Sequence, residues 1–294
     1  MQKKYQGLFP ALITPFNTKG EVDYVAIDKL VEYLINVQKV DGFYVTGSTG
    51  EFLTLSLEEK EKILERVAKA TKNRVTLIAQ VGNVNVHEVI YLGKKAKEFG
   101  FDAVSAITPY YYNFSFQEVK SYYEEITANV DLPLFIYYLP QLAGKKIGIK
   151  EFGELLSIKN VIGAKYGATD IFLFERLLRT YPEKLFLFAF DEALAPALTL
   201  GAKGFIGSTY NINAKGARAI IEAFEKGDKE LVKKSVHEYN DFVAKLVDMG
   251  VMAGIKAVFE VEGVIHGTTR KPFYQYDRST LLEKAKEIQK IIKK

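Results

Sequence analysis

Lys165 closes the run Asn160-Val161-Ile162-Gly163-Ala164-Lys165, whose middle four residues are small or apolar. Desolvating an ammonium costs several kcal/mol unless the charge is paired or neutralised. At the inner end of a strand the least costly escape is a lowered pKa, and the neutral amine it leaves is a nucleophile. With a pKa of roughly 10.4, a free lysine is only about 0.04 % neutral at pH 7, and a drop of about 3 units, roughly 4 kcal/mol, makes it reactive. The ordinary alternative is a strand-end lysine that snorkels to water. Charge alone does not separate the two; position in the fold does.

Other stretches carry residue types suited to partner such an amine. In Thr46-Gly47-Ser48-Thr49-Gly50-Glu51, glycines bracket two hydroxyls, so backbone N–H groups and side chains can converge on an anion. The segment is too short for a Walker loop and lacks its Gly-Lys-Ser/Thr, which leaves a carboxylate as plausible as a phosphate, and a plain turn as plausible as either. Gly207-Ser208-Thr209-Tyr210-Asn211 repeats the glycine-hydroxyl pattern. Asp191 and Glu192 suit either a helix start or hydrogen bonds from sugar hydroxyls. The tyrosines of Thr108-Pro109-Tyr110-Tyr111-Tyr112 and Tyr137-Tyr138-Leu139-Pro140 are ordinarily core or interface groups. A tyrosine beside a charged amine can instead shuttle protons.

The elements that must position these groups follow from periodicity. β-branched and aromatic runs predict strands at 7–14, 42–45, 74–80, 103–107, 134–138, 161–165, 185–190 and 204–206. Helical patterns lie between them near 24–36, 56–72, 86–98, 116–128, 150–156, 170–180 and 192–200. Capping boxes at Ser56/Glu59 and Ser115/Glu118 mark two of the starts. Strands separated by helices pair in parallel, and eight of them close a (β/α)8 TIM barrel, an α/β fold in which active sites sit at the C-terminal strand ends. On that face lie Lys165, ending the sixth strand, and Tyr137, near the end of the fifth. Lys203, before the eighth strand, belongs to the opposite face, and Lys256 in an apolar helix is expected half buried. Further helices at 214–226, 229–249, 254–262 and 280–293 predict a C-terminal helical extension, dividing the chain into a barrel of residues 1–213 and helices of 214–294 packed on it. The lysine-rich end of that extension suits a solvated helix face.

Composition narrows the function classes. The 294 residues are 48 % apolar and 26 % charged, ample for one large core. A net charge of +4 from 40 basic and 36 acidic residues is too small to argue for nucleic acid. There is no cysteine, and His87, His237 and His266 show no ligand spacing, so no metal site is expected. No apolar run approaches the ~18 residues of a membrane span, and the N-terminus leads into a strand instead of a signal segment. A cytoplasmic protein with a small-molecule substrate is expected.

The motifs, in their order and barrel positions, resemble the N-acetylneuraminate lyase / dihydrodipicolinate synthase family of Schiff-base-forming barrels over nearly the whole chain. Ala11-Leu12-Ile13-Thr14-Pro15-Phe16 looks like its first strand, Gly47-Ser48-Thr49-Gly50-Glu51 like its carboxylate-binding turn, Tyr137-x-x-Pro140 like its catalytic tyrosine motif, and Gly163-Ala164-Lys165 like its lysine strand. The synthase branch carries an arginine near the tyrosine motif's proline. Pro140-Gln141-Leu142-Ala143-Gly144 has none, whereas Asp191-Glu192, Gly207–Asn211 and Arg270-Lys271-Pro272-Phe273 look like the sialic acid lyase branch. The resemblance implies a class I aldolase cleaving N-acetylneuraminate reversibly to N-acetyl-D-mannosamine and pyruvate, without metal or organic cofactor. Lys165 then forms the imine and Tyr137 moves the proton, while Tyr111 reaches into a neighbouring subunit's site. Ser48 and Thr49 hold the pyruvoyl carboxylate, and Asp191, Glu192 and Ser208 meet the sugar tail, with Gly167, Ala189 and Gly207 also lining the substrate site. A homotetramer is implied as well. The chain departs from the family pattern at Tyr138, where a smaller or more polar residue is usual, at Gly167, where a hydroxyl is common, and at Ala189, where glycine is common. These departures bear on sugar preference. Two other functions suit the same residues: another pyruvate-dependent 2-keto-acid aldolase, or a barrel that binds a sugar or keto acid without turnover.

Overall fold

The alternating pattern folds as a (β/α)8 barrel in the computed structural model, which describes residues 2–293; Met1 and Lys294, the outer ends of the two proposed units, lie outside the described residues. The strands are β1 (Gly7–Pro10), β2 (Gly42–Val45), β3 (Thr76–Gln80), β4 (Ala103–Ile107), β5 (Leu134–Tyr138), β6 (Val161–Tyr166), β7 (Leu185–Phe188) and β8 (Gly204–Gly207). Between them run α1 (Tyr24–Tyr33), α2 (Leu57–Thr71), α3 (Val86–Glu98), α4 (Phe116–Asn129), α5 (Pro140–Ala143), α6 (Ile149–Ser157), α7 (Ile171–Thr180) and α8 (Leu194–Thr199). After β8 come α9 (Tyr210–Glu225), α10 (Lys229–Val247), α11 (Val251–Val261) and α12 (Arg278–Ile292). From β2 to β8 each strand pairs in parallel with the next, and β8 pairs in parallel with β1. Both capping boxes form: Ser56 accepts from Glu59 N and Ser115 from Glu118 N, each glutamate accepting in return.

Several element limits move for identifiable reasons. β1 stops at Pro10 instead of residue 14 because the chain changes partners: Ala11 N–H donates to Gly207 O, but Leu12 N–H donates to Tyr44 O at 2.9 Å. That switch, with the Ala11–Tyr44 bridge, joins β1 to β2 and closes the barrel. β3 begins at Thr76 because Arg74 still belongs to the turn that ends α2, its backbone N–H donating to Thr71 O at 3.1 Å. β7 ends at Phe188, although Ala189 N–H still donates to Tyr166 O before the chain turns into a short 3-10 helix, Asp191–Ala193. α1 widens into a π-helical turn, Leu34–Gln38. The Gln38 amide donates to Ile212 O and accepts from Ala214 N, satisfying a kink in α9 at Asn213. The proposed limit between 213 and 214 falls at this kink, inside a helix that begins directly after β8. Among the described residues no helix is long and apolar enough to cross a membrane.

The side chains divide between two packed layers. Tyr5, Phe9, Tyr44, Ile78, Phe135, Tyr137, Leu187 and Ile206 fill the barrel interior. Leu8, Val45, Ile136, Ala164 and Tyr166 lie between sheet and helices. Alternation along a strand should keep each parity on one face. β6 breaks it: Val161 is opposite Leu134, but Gly163 is opposite Phe135, so β6 advances two residues for one of β5. Strict alternation from the outward Val161 would turn Lys165 toward the helices. The irregularity instead pairs Lys165 with Tyr137, both inward. Gly163 is what the crossing permits, because a Cβ there would fall 1.7 Å from Leu185 O. Gly163→Ala is therefore expected to destabilise by about 3 kcal/mol or more, since a backbone carbonyl in a barrel strand cannot yield cheaply. A thermal midpoint within about a degree or two of the parent would show that β7 gives way.

Candidate active site

The C-terminal ends of β2, β5, β6 and β8 bring together four of the groups singled out in the sequence. Lys165 is 4 % exposed, its Nζ lying 3.8 Å from the Tyr137 ring centroid and 4.1 Å from that of Tyr44. Burial pulls its pKa below the ordinary lysine value, while Tyr137 and Asp191 oppose the shift. The snorkelling alternative is thereby excluded, because the amine is enclosed and does not reach water. The Tyr137 hydroxyl shares a hydrogen bond with Ser48 Oγ at 3.2 Å, and Thr49 Oγ1 shares one with Ser208 Oγ at 2.7 Å. Two glycine-hydroxyl turns thus meet across the barrel mouth. A cleft of about 610 Å³ opens above them, lined by Ser48, Thr49, Ser208, Tyr110 and Phe273 among others.

The turn after β2 is tightly specified. Its ends, Thr46 and Glu51, both have φ of 57°, in the left-handed region where a side chain is strained. Thr46 Oγ1 donates to Gln80 O, and Thr14 Oγ1 to Gly50 O. A Cβ at Gly47 would press on the Tyr44 ring at 2.8 Å, and one at Gly50 on Leu12 O at 2.9 Å. The glycines let the hydroxyl-bearing pair sit close against the barrel wall.

Asp191 and Glu192 part ways. Asp191 is buried, and its Oδ2 accepts from both Thr209 N at 2.8 Å and Thr209 Oγ1 at 2.5 Å. Thr209 Oγ1 also shares a hydrogen bond with Tyr239 OH on α10. Gly207 makes room for this carboxylate: a Cβ there would lie 2.0 Å from Asp191 Oδ1. Neither short helix that follows is capped by a side chain, so helix capping is not the role of these acids. Glu192 is exposed, and its backbone oxygen accepts from Asn240. Burial raises the Asp191 pKa to about 6, against the lowering effect of the Thr209 bonds. The folded carboxyl therefore binds its proton more readily than the unfolded one. Its burial penalty is fully present above about pH 6 and gone below the ordinary carboxyl value, so this contribution to stability falls as pH rises between them. Asp191→Asn is expected to raise stability above pH 6 by up to about 3 kcal/mol, at about 1.4 kcal/mol per unit, with no gain near pH 4. Unfolding midpoints at the two pH values check this.

Tyr111 is 88 % exposed, at φ 74°, and stacks edge-on with Tyr112 outside its own chain's cleft. Tyr138 faces the helical layer, packing on Phe152 and Tyr166, so this departure from the family pattern is a matter of core filling and does not touch the site. Gly167 lies beside the site: its N–H donates to Tyr138 O, and a Cβ would approach the Tyr137 ring at 3.7 Å. Ala189 is half-buried at the end of β7. Two features were not foreseen. Tyr44, held by a hydrogen bond to Ser105, supplies the second wall around Lys165, and no motif marks it within a uniformly buried strand. Lys256 is fully buried, not half-buried, and paired with Glu51; only its apolar helical surroundings hinted at it.

The model of the dihydrodipicolinate synthetase family matches residues 4–291. The chain is 41 % identical over 285 residues to N-acetylneuraminate lyase from Clostridium perfringens, across 97 % of this chain and 99 % of that one. Among solved structures it is similar to N-acetylneuraminate lyase from Mycoplasma synoviae, with a TM-score of 0.96, 54 % identity and full coverage of both chains. It is also similar to N-acetylneuraminate lyase from Fusobacterium nucleatum complexed with pyruvate, with a TM-score of 0.93 and 38 % identity across 99 % of this chain and 98 % of that one.

Proposed function

The chain belongs to the dihydrodipicolinate synthetase family, and we propose that it acts there as an N-acetylneuraminate lyase, a class I aldolase yielding N-acetyl-D-mannosamine and pyruvate reversibly. The observation that carries this is the enclosed Lys165 amine, in register with Tyr137 and pressed against its ring. Neutral Lys165 attacks the C2 ketone, the adduct's hydroxyl takes up a proton from solvent and leaves as water, and a protonated imine remains. The C3–C4 bond then breaks with its electron pair drawn toward the iminium nitrogen, giving an enamine and the aldehyde of the sugar. The C4 hydroxyl proton passes to Tyr137, directly or by way of the substrate carboxylate, and a proton returns from it to C3. Hydrolysis of the resulting imine releases pyruvate and restores the amine. The imine is the electron sink, so the sequence needs no metal or organic cofactor.

Ser48 and Thr49 receive the pyruvoyl carboxylate in this reading, a role supported by the hydrogen bonds that tie them to Tyr137 and Ser208. Ser208 lines the cleft beyond; in this reading Gly207, Asp191 and Glu192, with Gly167 and Ala189, serve the polyhydroxyl tail there. Asp191 reaches it chiefly by fixing Thr209 and the β8 turn. We also infer a cytoplasmic homotetramer. The exposed Tyr111 and Tyr112 support assembly, since a tyrosine held outside its own cleft can complete a neighbour's. Pyruvate release from N-acetylneuraminate by the purified protein tests the activity. Faster cleavage of shorter 2-keto-3-deoxy acids would reassign the substrate, and no release from either would leave the non-catalytic barrel.

A further inference from the structure

Glu51 and Lys256 form an ion pair in which both side chains are 0 % exposed, with Lys256 Nζ 2.5 Å from Glu51 Oε1. Lys256 also donates to Thr268 O at 3.0 Å, and Arg270 N–H donates to Glu51 Oε2 at 2.8 Å. Arg270 is itself fixed by Gly20 O, Thr54 O and a two-pronged bond to Glu59, the capping glutamate of α2. The Phe16 ring is flanked by both cations, each 4.4 Å from its centroid. These contacts join three pieces that line the same cleft: the turn at 46–51, the start of α11 at Val251 and Met252, and the segment at Pro272 and Phe273.

A buried ion pair is weak evidence for stability, because desolvation consumes most of the attraction and apolar residues of similar size often serve as well. Its placement suggests another role. Glu51 is a left-handed, side-chain-bearing residue, and such a conformation persists only where its surroundings over-determine it. Here the constraints are the two charge-assisted bonds at its carboxylate and the bond from its own N–H to Ser48 O. We propose that the Glu51–Lys256 pair is a positioning device: helix α11 clamps the last residue of the turn so that the Ser48 and Thr49 hydroxyls face the keto-acid carboxylate. Glu51 and Lys256 act through Ser48 and Thr49, without touching the reacting atoms. The inference rests on the proposed seating of that carboxylate in the turn.

The test is the double variant Glu51→Gly/Lys256→Met. Glycine takes the left-handed conformation freely, and no unpaired charge stays buried. If the pair only supported folding, this variant would bind pyruvate like the parent. Loss of the clamp is expected to raise the pyruvate concentration for half-maximal inactivation by borohydride about tenfold to a hundredfold, the value of one or two charge-assisted bonds. KM for N-acetyl-D-mannosamine should change by less than about twofold. A pyruvate requirement within about twofold of the parent overturns the proposal. Should the double variant not fold, Glu51→Gln/Lys256→Gln keeps a neutral bond across the same gap and is expected to raise the requirement at least about threefold, the same twofold limit applying. A parent chain that pyruvate and borohydride fail to modify would instead overturn the aldolase assignment, and this proposal with it.

Discussion

Lys165→Met should lower kcat for N-acetylneuraminate cleavage by at least about 10⁴-fold, because no other group here can form the imine on which bond breaking depends. The same change should raise the unfolding midpoint. Two aromatic faces favour the ammonium by about 1–2 kcal/mol each, and Asp191 adds to them. Yet the Lys165 pKa is lowered, burial outweighing the opposing effects of Tyr137 and Asp191. The folded amine holds its proton less tightly than the unfolded one. Its burial therefore costs stability most at pH values below the folded pKa, and the cost fades as pH rises toward the ordinary lysine value. The midpoint gain of Lys165→Met should accordingly shrink between neutral and alkaline pH. An inactive variant less stable than the parent at pH 7 would mean that the lysine is held as a paired ammonium and is not poised as a nucleophile.

Tyr137→Phe separates imine formation from proton transfer. The ring that packs 3.8 Å from Lys165 Nζ is kept, while the hydroxyl bonded to Ser48 is lost. A fall in kcat of about 10² to 10⁴-fold is expected, the range for a positioned general acid–base group. Pyruvate should still be trapped on Lys165 by borohydride, because the amine remains enclosed. Cleavage at the parental rate would remove Tyr137 from the proton path. Loss of trapping together with turnover would move its role to imine formation.

What is legible in the sequence, and what is not, divides along physical lines. Strand–helix alternation is a local pattern, so all eight strands and both capping boxes are legible in it, whereas the end of β1, set by a change of hydrogen-bond partner, is not. The inward direction of Lys165 is not local. It depends on β6 slipping one residue against β5 at Gly163, and simple alternation from Val161 gives the opposite face. Nor does Tyr44 announce itself, since every residue of β2 is buried and a uniform strand has no periodicity to mark its inward side. Glu51 and Lys256 meet across 205 positions, a pairing that no spacing rule reaches. By residue type Asp191 suits a sugar ligand or a helix cap; its carboxylate instead accepts from Thr209 and fixes the neighbouring turn. Tyr138 departs from the family pattern, but its parity on β5 turns it outward onto Phe152, away from the site.

The central claim is that Lys165 is the nucleophile. Incubating the protein with pyruvate and borohydride, then mapping the modified peptide by mass spectrometry, tests it most directly. One reduced pyruvate per chain, on Lys165, is the expected result. Label on Lys256, Lys203 or any other lysine, or none at all, would contradict it.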